Sequence, residues 1–93
     1  MILVVHHRVR DYAAWKPVFD EHEAVRVAHG ARRHWVYRAP DDVNDLVVAT
    51  EFGSREQAEA FLADPSLREA MGRAGVEGEP HVHLREELEA VTY

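Results

Sequence analysis

Seven histidines and no cysteine define the chemistry open to this 93-residue chain. Over Asp11–His29, Trp15, Val18, Phe19, His22, Val25, Arg26 and His29 recur at helical spacing and share one broad face of an amphipathic helix. His22 stands near the centre of that face, where a core helix normally carries leucine. Two readings are open. A core imidazole would be bonded to a backbone carbonyl or a carboxylate, since one buried polar group is easily satisfied. A site imidazole would act as general base, or as donor to a phenolic oxygen, because a small pKa shift lets histidine exchange protons near neutral pH. Arg26 or Tyr37 would then hold an enolate or phenolate; otherwise Arg26 pairs with Glu23 or another carboxylate at the helix edge. Trp15, Phe19, Trp35 and Tyr37 would supply apolar walls for a flat aromatic ligand, with His29 extending the polar lining.

A second group lies in strand-like sequence. His81 and His83 alternate, so they face one side of a strand, and His6 and His7 lie in another. With those strands adjacent, one of the pair would sit across from His81 or His83, and three imidazoles could hold zinc, copper or iron. No HExxH or comparable spacing accompanies them, so hydrogen-bonded or solvated strand histidines are preferred, and neither metal nor cofactor is expected. Glu51 is opposite in parity to Thr50 and Phe52. It either accepts from His22 or Arg26, or belongs to the sheet rim or a dimer contact. Neither a Ser-His-Asp spacing, a phosphate-binding loop nor GxGxxG is present. The lack of cysteine removes disulfides, thiolate nucleophiles and Cys-ligated metal sites.

Seventeen acids against eleven bases give a net charge of −6, and Lys16 is the only lysine. No basic run offers a footprint for phosphate, so nucleic acid is not an expected partner. The apolar fraction of 46% and charged fraction of 30% are ordinary for a globular domain. Met1–Val5 is too short for a signal-peptide core, and no run approaches the ~20 residues of a bilayer span. The expected setting is cytoplasmic, without a membrane partner.

The elements that must position these residues read in order. Met1–Val9 is a β-branched strand with Ile2, Val4 and His6 on one face and Leu3, Val5, His7 and Val9 on the other. Asp11 caps the long helix, Pro17 should kink it or loosen its first turn, and Gly30 ends it. Ala31–Arg38 and Leu46–Phe52 form a hairpin around a turn at Ala39–Asp45. Ser54 and Gln57 open a second helical segment, Asp64-Pro65 restarts it, and Gly75 closes it. Gly75–Pro80 reads as loop and His81–Val91 as the last strand.

The result is a single α+β domain over residues 1–93, βαββαβ and ferredoxin-like, with an antiparallel sheet in the order 4-1-3-2. Helices cover one sheet face. The first strand is apolar on both, so the other face is expected to be covered by a second copy in a homodimer.

Three stretches carry a family resemblance: Asp11-Tyr12 through Trp15, Phe19 and His22; Pro40-Asp41-Asp42 leading to Glu51-Phe52; and Leu67–Met71 followed by Gly75–Pro80. Together they resemble the dimeric α/β-barrel superfamily, in particular small antibiotic-biosynthesis-monooxygenase and cyclase-type proteins. The resemblance covers nearly the whole chain. It implies a dimeric α/β barrel with a pocket between helices and sheet in each protomer. It further implies cofactor-independent oxygenation or cyclisation of a phenolic or polyketide-like small aromatic molecule. The family's catalytic residues do not carry over position by position; the candidates read above from helix face and strand would serve it, His22 and Arg26 as the catalytic pair, with Trp15, Phe19, His29, Trp35, Tyr37 and Glu51 lining the substrate site. A non-catalytic ligand-binding or oligomerising domain is the first alternative. A haem- or metal-binding oxidoreductase is the second.

Overall fold

The computed structural model describes all residues, 1–93. The element order is β1 (Ile2–Val9), α1 (Tyr12–Glu21), α2 (Glu23–Ala28), β2 (Ala31–Ala39), β3 (Asp42–Phe52), α3 (Arg55–Leu62), α4 (Pro65–Ala74) and β4 (Val76–Arg85). The four strands make one sheet in the order β2-β3-β1-β4. Every neighbouring pair is antiparallel. This is the expected order read from the other end.

Strand β1 organises the sheet: Val5 lies opposite Val48 of β3 on one side and Val82 of β4 on the other. Its alternation is complete. Leu3, Val5, His7 and Val9 are buried beneath the helices, while His6 and Arg8 are exposed on the opposite face. Leu3, Val9, Leu46 and Phe52 are the most deeply buried large side chains. They form the floor on which the helical layer rests.

The long helix departs from expectation in one respect. Asp11 caps it, accepting from the Ala13 amide at 3.0 Å. Pro17 sits inside α1 without ending it. The break comes at His22, whose backbone turns to φ −80°, ψ 0° and whose N–H is shared between the Val18 and Phe19 carbonyls, each at 3.2 Å. Such three-centre bonding tightens a helix end. Regular helix is interrupted at His22, and α2 is a separate helix. Gly30 ends α2 with φ +95°, and a Cβ there would lie 2.5 Å from the Gln57 side chain. The positive φ is what calls for glycine, since the end of the Gln57 side chain can move aside.

The other boundaries moved for local reasons. The β2–β3 turn is only Pro40-Asp41, and β3 begins at Asp42 instead of Leu46. Its polar start is held in place because Asp42 bonds Arg8, and Asn44 Oδ1 accepts from the Tyr12 amide at 2.9 Å. Ser54 caps α3 and Asp64 caps α4, accepting from the Gln57 and Ser66 amides. Strand β4 starts at Val76, not His81, and stops at Arg85, so Leu88 lies beyond it and is exposed. Gly78, Glu79 and Pro80, read from sequence as loop, form a bulge between the His6–His81 and Arg8–Glu77 pairs. Proline is tolerated there because β4 is an edge strand.

Candidate functional site

A cleft of about 70 Å³ opens between the helical layer and strands β1 and β3. That is room for several waters. Twelve of its sixteen lining residues are hydrophobic, and the four polar ones are His7, His22, Arg26 and Thr50. All four are buried, between 3% and 8% exposed. A mostly apolar concavity with a few converging polar groups is the usual form of a small-molecule site.

The helical stripe delivers half of the anticipated residues. Trp15 and Phe19 of α1 stack with ring centroids 4.6 Å apart. Arg26 reaches back from α2, with its guanidinium 3.8 Å above the Phe19 ring and Nη1 donating to the Phe19 carbonyl at 2.8 Å. No carboxylate bonds it, and no protein group accepts from its Nη2. Burial lowers the Arg26 pKa, Glu23 and Asp20 opposing the shift; a guanidinium stays charged at any working pH. His22, at the break, places Nε2 2.9 Å from Ser66 Oγ.

The remaining candidates lie elsewhere. His29 follows α2 and bonds Asp64 Oδ2 at 2.8 Å, fastening α2 to the α3–α4 junction outside the cleft. That bond, with the Ser66 amide and hydroxyl, holds the Asp64 carboxyl down at about 2. Trp35, Tyr37 and Glu51 face the side of the sheet away from the helices. Trp35 pairs in register with Ala49, and Tyr37 with Val47. Arg33 ties to Glu51 at 3.2 Å and stacks over Trp35. The inward residues of β2 are His34 and Val36, opposite Thr50 and Val48. His34 meets the Phe19 ring edge-on at 5.1 Å.

The strand histidines divide in the same manner. His6 faces His81 across β1 and β4 with ring centroids 6.1 Å apart, and its Nε2 bonds Asp45 at 2.6 Å. His83 shares that outer face, opposite Val4. His7 has the other parity and lies in the cleft against Trp15. Three donors therefore never converge. His7 and Thr50 are the cleft residues that sequence reasoning missed. Their parity with Leu3, Val5 and Phe52 was the available signal.

Burial, reinforced by His6, lowers the His7 pKa; burial and the Arg26 charge lower that of His22. Both rings are thus neutral when folded at pH 7. Below the ordinary histidine pKa of about 6.5 the unfolded chain binds protons that the folded one refuses, so stability falls as pH drops through that value. Urea midpoints should be level from pH 8 to 7 and lower at pH 5.5. A His7→Phe, His22→Leu double variant should lose most of that slope, and an unchanged slope would assign it to other groups.

No family model matches the chain, nor does any curated protein. Solved structures do. SnoaB, a cofactor-independent oxygenase from Streptomyces nogalater, is 21% identical with TM-score 0.71, the match covering 96% of each chain. A protein from Bordetella bronchiseptica proposed to be an antibiotic biosynthesis monooxygenase is 12% identical with TM-score 0.77, covering 95% of this chain and 97% of that one. Another so described, from Caulobacter crescentus, is 16% identical with TM-score 0.75, covering 95% and 89%. At these identities the likeness is one of fold. The chain has the fold of antibiotic-biosynthesis-monooxygenase-like proteins, as its sequence resemblance implied. No helix is long and apolar enough to cross a membrane.

Proposed function

We propose that this chain is a small cofactor-independent enzyme of the oxygenase or cyclase type, acting on a phenolic or polyketide-like aromatic in the cleft. The observation that carries this reading is Arg26. A guanidinium 4% exposed, bonded to one carbonyl and stacked on Phe19, has a further N–H group with no protein acceptor. A fixed cation in an apolar cleft stabilises charge that develops on a reacting oxygen. The shared fold with SnoaB, itself a cofactor-independent oxygenase, supports the same reading.

His22 supplies the base. With Nε2 held by Ser66, Nδ1 is its second nitrogen, and the lowered pKa leaves a lone pair available at neutral pH. It takes a proton from a ring hydroxyl or an acidic carbon, and Arg26 holds the resulting anion. The carbanion form then reacts with dioxygen, or attacks a carbonyl of the same molecule to close a ring. Trp15 and Phe19 fix the plane of the substrate.

The working unit in this proposal is a homodimer. Ile2, Val4, Val47, Ala49, Trp35 and Tyr37 all lie on the sheet face without helices, ringed by Arg8, Arg33, Glu51 and Arg85. A second copy of the same face would complete a barrel.

Oxygen uptake and product formation over a panel of phenols and aryl polyketides test the chemistry. Turnover is expected in the wild type and about 10²–10⁴-fold less in His22→Ala, with ligand affinity retained. Equal turnover in both proteins would remove His22 as the base. Binding without turnover of any panel member would make the cleft a ligand-binding site only.

A further inference from the structure

His7 is the least explained side chain in the molecule. It sits in the middle of β1 on the face that carries Leu3, Val5 and Val9, 7% exposed, and neither ring nitrogen has a protein partner. Valine or leucine would pack there without penalty, whereas a buried imidazole with no partner is destabilising. Buried polar groups that a fold leaves unmatched mark places where something else supplies the match.

Its position relative to Arg26 is set by α1. The His7 ring lies 5.9 Å from Trp15, Trp15 stacks on Phe19, and Arg26 covers Phe19. Trp15 and His22 are seven residues apart, about 10 Å along the helix axis. His7 and the Arg26–His22 pair thus stand at opposite ends of an aromatic floor. Burial and the neighbouring His6 keep the His7 ring neutral, so it offers one donor and one acceptor.

We infer that His7 binds a second oxygen of the substrate, so that the cleft selects aromatic rings bearing a hydroxyl at one end and a carbonyl oxygen at the other. The hydroxyl lies toward Arg26 and His22, and the carbonyl accepts from the His7 ring N–H. This rests on the reading of the cleft as an aromatic site and goes beyond it by naming the substrate class. His7 acts here as a specificity determinant and takes no proton in the reaction.

Two probes of the same shape separate the oxygens: 4-hydroxyacetophenone, and 4-ethylphenol, which has a methylene in place of the carbonyl. Calorimetric titration of the wild type is expected to show at least tenfold tighter binding of the ketone, one buried hydrogen bond gained against one left unmade adding to the effect of its more acidic phenol. His7→Phe should lose about tenfold of the ketone's advantage, keeping only what its more acidic phenol gives, and His7→Gln should recover part of the loss. In the wild type, the ¹⁵N resonances of His7 should move with the ketone and not with 4-ethylphenol, a readout independent of how well the variants fold. Equal affinities in the wild type, a preference undiminished in His7→Phe, or unmoved His7 resonances would overturn the inference and leave the phenol site standing. Failure of the wild type to bind either probe would overturn both.

Discussion

Replacing Arg26 with methionine is expected to raise, by about one to three units, the pH at which a phenol bound in the cleft ionises. Absorbance titration of bound 4-hydroxyacetophenone, in wild type and Arg26→Met, measures the shift directly. The size follows from the surroundings. A cation near the bound oxygen favours phenolate, and the apolar cleft screens that attraction little. The fold should tolerate the change. Methionine matches the reach of the arginine stem, and exchanging a buried charge for an apolar group is often neutral or stabilising. The Phe19 carbonyl keeps a partner, the His22 N–H at 3.2 Å. An unshifted ionisation with unchanged stability would reduce Arg26 to a strut between α1 and α2.

The second large effect concerns assembly. Ala49 stands at the middle of the sheet face that carries no helices, between Val4 of β1 and Trp35 of β2. Ala49→Glu is expected to convert a dimeric wild type to monomer in sedimentation velocity, with dissociation at least 100-fold easier. In a lone protomer a carboxylate there would sit in water. Between two packed sheets it would be buried beside Val4 and Trp35, with Arg33 already tied to Glu51, and such a burial costs several kcal/mol. A monomeric wild type, or a variant that still dimerises, would exclude this face as the interface.

The fold was legible because its boundaries carry local chemistry. Gly30, Pro40-Asp41, Ser54, Asp64-Pro65 and Gly75 each mark a junction with a residue whose backbone preference or side-chain bond the junction needs. The helical stripe was legible too, as far as the regular period lasts. Trp15, Phe19, His22 and Arg26 obey it and reach the cleft. His29 stands at the C-terminal end of α2, a turn beyond Arg26, where Asp64 takes its ring. Strand parity was the weaker guide. In Arg33–Tyr37 both faces hold large side chains, so bulk pointed to Trp35 and Tyr37 as walls of the cleft while His34 and Val36 in fact turn inward. A sheet apolar on both sides does not announce which side its helices cover. His7 was passed over for the opposite reason. It was weighed with His6, His81 and His83 as a donor set, although its own parity separates it from them.

The bulge in β4 has a bearing on how far copies of this chain can assemble. An open sheet has two lateral borders, and a straight, unpaired border invites another strand to join and the sheet to lengthen without limit. On the β4 side the border is bent by Gly78, with φ +69°, and interrupted by Pro80, which has no amide hydrogen to offer. On the β2 side, the exposed Arg32 and Arg38 put like charge on the border strand. Sideways growth is discouraged at both limits, so self-association is steered toward stacking face on face. That mode uses up its own surface once two copies have met, and so a finite particle is favoured over a fibre.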